Sequence, residues 1–233
     1  MQIGKQFDDN VEFDFCDNNN PSLKPHINNE DFVGIVGRGE FKLLVEHTDI
    51  DRANTVCICI FDPDRSHHDD ELLEGFADVL QIRFWDVEEA IGRIKPITAE
   101  QGLIIRKFIE KHKDKRFLIH CEAGMSRSAG VGQAVECIKH FDGNVFHFRT
   151  GFSAISEFSK KTGRYHPNLT VFDAIMSRKT KFEVGDRVKM IRDSNLPEYL
   201  IWTITEVHPN NGGWSHNKGF IPPQDEKLWE IVK

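Results

Sequence analysis

The sequence predicts an α/β fold, a mostly parallel central sheet flanked by helices, with a small β-barrel domain appended at the C-terminus. Three observations predict it. Between Phe32 and Arg178, runs of strand length alternate with segments of helical periodicity, the pattern of strands joined by crossover helices. The run Thr55-Val56-Cys57-Ile58-Cys59-Ile60-Phe61 is almost wholly apolar, as a strand covered on both faces is. At Lys181 the helical periodicity stops, and short strands separated by turn residues occupy the rest of the chain.

Residues 1–30, rich in Asn and Asp, read as an irregular N-terminal arm in which Val11, Phe13 and Phe15 alternate like one strand. From Phe32 to Phe61 the pattern is strand-like and includes Phe41-Lys42-Leu43-Leu44-Val45. A polar loop from Asp62 to His68 follows; adjacent His67 and His68 would point in different directions on any regular element, so they are not read as a metal pair. Another strand, Val79 to Trp85, runs into Asp86-Val87-Glu88-Glu89. Thr98-Ala99-Glu100-Gln101 has the spacing of a capping box and opens a helix with Ile104, Ile105, Phe108 and Ile109 inward. Lys115-Arg116-Phe117-Leu118-Ile119 reads as a short buried strand. A helix then places Val131, Ala134, Val135, Ile138 and Phe141 on one face and is stopped by Asp142-Gly143-Asn144. Two more helices are expected around Phe152–Ser159 and Leu169–Arg178, closing a domain over residues 31–180.

In the C-terminal part, residues 181–233, strands are expected within Phe182–Ile191, Leu200–Val207 and Leu228–Val232, with a glycine turn at Gly212-Gly213. The Val-Gly-Asp-x-Val phrase at Val184 resembles the start of SH3-like barrels. So small a barrel buries little apolar area alone. It is therefore expected to pack in cis on the larger domain or to bind a protein partner.

Composition narrows the function. With 39% hydrophobic and 29% charged residues and a net charge of −7, the chain has no electrostatic reason to bind nucleic acid or an anionic membrane. No apolar run approaches the roughly 20 residues of a membrane span. The N-terminus lacks the apolar centre of a signal peptide. Five cysteines, an odd number without C-x-x-C or zinc spacing, fit a reducing cytoplasm. Neither a metal nor a cofactor is predicted.

The chemistry gathers in His120-Cys121-Glu122-Ala123-Gly124-Met125-Ser126-Arg127, with Ser128 directly after. A strand end, a tight loop and a helix N-terminus there converge on one thiol and one guanidinium. Backbone N–H groups of such a loop and the positive end of the helix form a cradle for a tetrahedral oxyanion. The same field favours a thiolate at neutral pH. An arginine can grip two phosphate oxygens at once and fix the phosphorus for in-line attack.

This loop resembles that of the cysteine-dependent protein tyrosine phosphatases: His-Cys, five residues, Arg, then Ser or Thr. The wording from Ala123 to Ser128 is most similar to the dual-specificity and small microbial branches, and the likeness runs from about Val33 to Arg178. The resemblance implies Cys121 as nucleophile, Arg127 as phosphate ligand, Ser128 as a hydroxyl that assists turnover, and His120 as a support of the loop. Glu122, Ala123, Gly124, Met125 and Ser126 would line the phosphate. The general acid must come from another loop; Asp86, 35 residues before Cys121, is the choice, with Glu88, Glu89 and Asp62 as rivals. Pro167-Asn168 sits where relatives open a late helix beside the loop, so Asn168 reads as a helix cap and then as a support of that loop. Cys59 ends a strand that in some relatives carries a cysteine able to bond the nucleophile; its other reading is core packing.

The implied activity is hydrolysis of phosphotyrosine, and of phosphoserine or phosphothreonine, on protein. Phosphoinositide phosphatases of the superfamily carry loop lysines where this chain has Glu122 and Met125. Two other functions are weighed: an inactive phosphatase-like module that binds phosphoproteins, and a rhodanese-type sulfurtransferase, which also uses a loop cysteine but whose loops usually lack the closing Arg-Ser.

Overall fold

The computed structural model describes residues 26–65, 70–177, 187–190, 202–208, 213–216, 219–221 and 229–231. The alternating arm residues Val11, Phe13 and Phe15, the histidines His67 and His68, and the Val184-Gly185-Asp186 phrase lie outside them. The chain divides into two compact units, Met1–Ile175 and Met176–Lys233.

Four parallel strands, β1 (Phe32–Gly37), β2 (Thr55–Phe61), β3 (Asp78–Arg83) and β4 (Arg116–Cys121), form the sheet of the first unit in the order β1-β4-β2-β3. Their registers bring Gly37 beside Cys121, Cys59 beside His120 and Phe61 beside Arg83. All four C-terminal ends therefore open on one edge, where ligands of parallel sheets bind. The central strands β2 and β4 are buried along almost their whole length.

Helices cover both faces. α1 (Arg38–His47) sets Phe41, Leu44 and Val45 against Cys57, Cys59 and Leu118. α3 (Arg127–Phe141) buries Val131, Ala134, Val135 and Ile138 on the other face. A Cβ at Gly132 would come within 2.5 Å of Ile35 Cδ1 and 2.7 Å of Ile155 Cδ1, so the absence of a side chain sets how close α3 lies to β1. α2 (Ala99–Lys111) begins with the expected capping box, Thr98 accepting from the Gln101 N–H at 3.2 Å and Gln101 accepting from the Thr98 N–H at 2.9 Å. α3 stops at Asp142 in the left-handed region (φ 50), with the Gly143 N–H returning to the Cys137 carbonyl at 2.9 Å.

Two expectations need correction. Phe41–Val45 is helical, because Phe41, Leu44 and Val45 follow the 3.6-residue period and Glu40 accepts from the Gly37 N–H at 2.9 Å to start the turn. Ile104 is 45% exposed while Ile105 and Ile109 form the inward stripe of α2. A short helix unforeseen in the sequence, α4 (Val145–Thr150), is capped by Asn144 Oδ1 on the His147 N–H at 3.1 Å. The two later helices fall at α5 (Ala154–Thr162) and α6 (Leu169–Met176). In the second unit, β5 (Arg187–Met190), β6 (Trp202–His208), β7 (Gly213–His216), β8 (Gly219–Ile221) and β9 (Trp229–Ile231) pair antiparallel in the order β8-β7-β6-β5-β9. The β7–β8 hairpin was not separately expected. Among the described residues, no helix is long and apolar enough to cross a membrane.

Candidate active site

β4 delivers Cys121 at its last position, five loop residues follow, and α3 begins at Arg127. Gly124 makes the loop possible. Its φ is +72, and a Cβ there would lie 2.1 Å from the Gly37 nitrogen and 2.2 Å from the Val36 carbonyl carbon. The loop is thus folded flush against the end of β1, and any side chain at Gly124 would force it away. Three loop carbonyls are held from behind: Glu122 by the Arg38 N–H at 3.2 Å, Met125 by the His166 N–H at 3.0 Å, and Ser126 by the N–H groups of Gly130 (2.9 Å) and Asn168 (3.2 Å). Across a planar trans peptide the C=O and the next N–H point in opposite directions. The N–H groups of Ala123, Ser126 and Arg127 therefore face away from these supports.

At the centre of the loop Cys121 is 1% exposed. Its Sγ receives the Gly124 N–H at 3.3 Å and lies 3.3 Å from the buried Ser128 hydroxyl. The sulfur thus meets an amide donor from the loop and a hydroxyl from the first turn of α3.

Arg127 reaches across the sheet edge with only 4% of its side chain exposed. Its Nη1 donates to Asp62 Oδ1 at 2.8 Å and to the Phe84 carbonyl at 2.9 Å. Its Nε is buried and has no hydrogen-bond partner among the described residues, with Asp86 Oδ2 3.8 Å away. A buried guanidinium nitrogen left open costs free energy unless a ligand satisfies it.

Asp86 lies just beyond β3 and its Oδ1 accepts from Ser126 Oγ at 2.7 Å and Asn168 Nδ2 at 3.0 Å. Ser126 is the N-cap position of α3, yet its hydroxyl is spent on Asp86 rather than on a helix amide. Asn168 does two jobs: Oδ1 caps α6 through the Val171 N–H at 3.1 Å, and the amide nitrogen orients Asp86. Of the rival acids, Asp62 is engaged on Arg127. Glu88 and Glu89 are exposed, and Glu88 contributes its carbonyl to Thr170 Oγ1 at 3.4 Å.

His120 points away from the loop into the core. Its ring stacks on Phe41 at 4.3 Å and meets the edge of Phe61 at 5.6 Å. Cys59 pairs in register with His120 rather than Cys121. Because side chains alternate along a strand, Cys59 shares the α1 face with His120, packed among Phe41 and Leu118, and Cys121 turns to the other. That placement fits core packing and not a bond to the nucleophile. The Glu122 carboxylate is paired with Arg65 Nη1 at 2.9 Å, a contact across 57 positions that no local pattern announces. Met125 is 39% exposed at the loop rim.

No family model and no curated protein matches the chain. Solved structures similar to it include Tk-PTP in its active form, at 21% identity and TM-score 0.38 over 58% of this chain and 82% of that one. They also include PTPMT1 in complex with PI(5)P, at 14% identity and TM-score 0.41 over 64% of this chain and 89% of that one. A third is the human tyrosine phosphatase-like serine/threonine/tyrosine-interacting protein, at 18% identity and TM-score 0.38 over 60% of this chain and 82% of that one.

Proposed function

We propose that this chain is a cysteine-dependent phosphatase acting on phosphorylated protein side chains, phosphotyrosine first and phosphoserine or phosphothreonine as well. One observation carries the reading. A thiol held by an amide and a hydroxyl shares its loop with a buried arginine whose Nε lacks a hydrogen-bond partner among the described residues, and a carboxylate on a separate loop lies 3.8 Å from that nitrogen. A phosphoryl group bound over Sγ would take the loop amides and Arg127 as ligands.

In the first step Cys121 Sγ attacks phosphorus in line, the bond from phosphorus to the ester oxygen breaks, and Asp86 gives its proton to the departing oxygen. In the second, Asp86 takes a proton from water, the water oxygen bonds phosphorus, and the phosphorus–sulfur bond breaks to release phosphate. Ser128 Oγ, 3.3 Å from Sγ, strengthens its hydrogen bond as charge returns to sulfur. Arg127 stabilises the equatorial oxygens in both steps.

A monophosphate on protein is favoured over a polyphosphorylated ligand. The loop has no lysine, and the carboxylate of Glu122 stands at its rim. Burst kinetics with p-nitrophenyl phosphate test the two-step scheme. In Ser128→Ala, p-nitrophenol is expected to appear in a burst ahead of a slow steady rate, with phosphate trapped on Cys121 by acid quench. A mutant that turns over normally without a burst would make Ser128 structural. A wild-type chain that binds phosphopeptide but never releases phosphate would be a binding module instead.

A further inference from the structure

We propose that Asp62 is a positioning residue that holds the Arg127 guanidinium in place before the phosphoryl group arrives, and that its charge trades oxyanion affinity for turnover. This rests on the phosphatase reading of the loop. Asp62 follows the last residue of β2, so the sheet register brings it to the same edge as Cys121 and Arg83. Its Oδ1 takes Arg127 Nη1 at 2.8 Å, and the Phe84 carbonyl, just beyond β3, takes the same nitrogen at 2.9 Å. Two acceptors from two strand ends pin one corner of a planar group. The unpartnered Nε is left beside Asp86.

The anchor answers a problem of charge. Arg127 is 3% exposed, and a buried cation without a counter-ion is costly. With no anion over Cys121, Asp62 at 2.8 Å supplies the close counter-charge, since Asp86 stands at 3.8 Å. Asp62 is itself steadied. Its Oδ2 lies 3.6 Å from Arg65 Nε, and Arg65 Nη1 bonds Glu122 Oε1 at 2.9 Å. Charges thus alternate from Glu122 through Arg65, Asp62 and Arg127 to Asp86, tying the loop after β2 to the loop of the nucleophile.

The same carboxylate must then repel an incoming phosphate dianion while keeping its donor aligned. Removing the charge should strengthen ground-state binding and weaken catalysis, opposite movements that a loss of folding would not produce. The full chain is assayed for p-nitrophenyl phosphate turnover and, by calorimetry, for tungstate affinity. Asp62→Asn, which keeps shape and an acceptor, is expected to bind tungstate about tenfold tighter with kcat lowered about 10²-fold by misalignment. Asp62→Glu, which restores the charge on a side chain one methylene longer, is expected to bind tungstate as the wild type does while kcat recovers only in part. A kcat within twofold of wild type in Asp62→Asn overturns the proposal, as does a parallel fall in affinity, kcat and Tm. If Asp62→Asn does not fold, Asp62→Glu carries the test: a lower kcat at unchanged tungstate affinity supports positioning, and an unchanged kcat overturns it. A wild-type chain that binds tungstate without turnover sinks the phosphatase reading alone, and Asp62 is then judged by tungstate affinity.

Discussion

The two ends of α3 each hold an ion cluster around one buried charge, and they differ in what they leave open. At the C-terminal end Asp31 is 5% exposed, with Oδ1 on Lys139 Nζ at 2.8 Å and Oδ2 on His140 Nε2 at 2.6 Å. Burial pushes the Asp31 carboxyl up, but the hydrogen bonds from His140 and Lys139 outweigh it and hold the carboxyl below its ordinary range. At the N-terminal end Arg127 meets Asp62 and stands near Asp86, and its Nε has no hydrogen-bond partner among the described residues. One cluster is closed and serves the fold. The other surrounds a thiol and leaves one buried guanidinium nitrogen without a hydrogen-bond partner among the described residues. Mutations should therefore separate the two ends by readout, turnover at one and stability at the other.

The largest effect is expected at the open end. Arg127→Ala should lower kcat with p-nitrophenyl phosphate by about 10³-fold, the scale of losing a transition-state donor, while the thermal midpoint stays within a few degrees. A comparable collapse of the midpoint would make Arg127 a fold residue like Asp31. Next, Asp86→Asn should lower kcat by about 10²-fold for an alkyl phosphate and much less for p-nitrophenyl phosphate, whose leaving group needs no proton. Equal losses on both substrates would return the acid role to Glu88 or Glu89.

At the closed end the effects are on stability. Asp31→Ala leaves Lys139 and His140 without their buried counter-ion and should cost about 3 kcal/mol in denaturant unfolding, with kcat unchanged. The His140 pKa is raised, chiefly by its hydrogen bond to Asp31. Its stabilisation is thus full below the ordinary histidine range and lost as pH rises through the raised value. The midpoint gap between wild type and His140→Gln should be wider near about pH 5.5 than near about pH 9; a gap that widens with pH would contradict the assignment. The smallest effect is expected mid-helix at Glu136, where burial pushes the carboxyl up to about 7 against hydrogen bonds from Ser153 and Ile155. A raised carboxyl favours the folded state below the ordinary range and loses that advantage as pH rises through about 7. Glu136→Gln should accordingly gain on wild type between acid and mildly alkaline pH, and a midpoint difference flat with pH would show that Glu136 does not titrate.

Legibility in the sequence follows the range of each interaction. The strand, loop and helix that carry Cys121, Arg127 and Ser128 are contiguous, so their spacing alone announced them. The Thr98 capping box and the Asp142-Gly143 stop are equally local. Asp86 could be named because a leaving group needs an acid, but what holds it, Ser126 and Asn168, comes from positions 40 and 82 residues away. The Asp62–Arg127 and Arg65–Glu122 pairs span 65 and 57 positions, and no periodicity encodes them. Phe41–Val45 misled because apolar residues in close succession suit either period. The Glu40 cap was the available signal that decided for helix.

The most direct test of the site is acid-quench mass spectrometry of the full chain during p-nitrophenyl phosphate turnover, with Cys121→Ser alongside. A phosphoryl adduct on the peptide bearing Cys121 is expected in the wild type, enriched in Ser128→Ala. Cys121→Ser is expected to release no phosphate yet to bind tungstate, because the loop amides and Arg127 remain. Turnover by Cys121→Ser within tenfold of wild type, or an adduct on any other residue, would contradict Cys121 as the nucleophile.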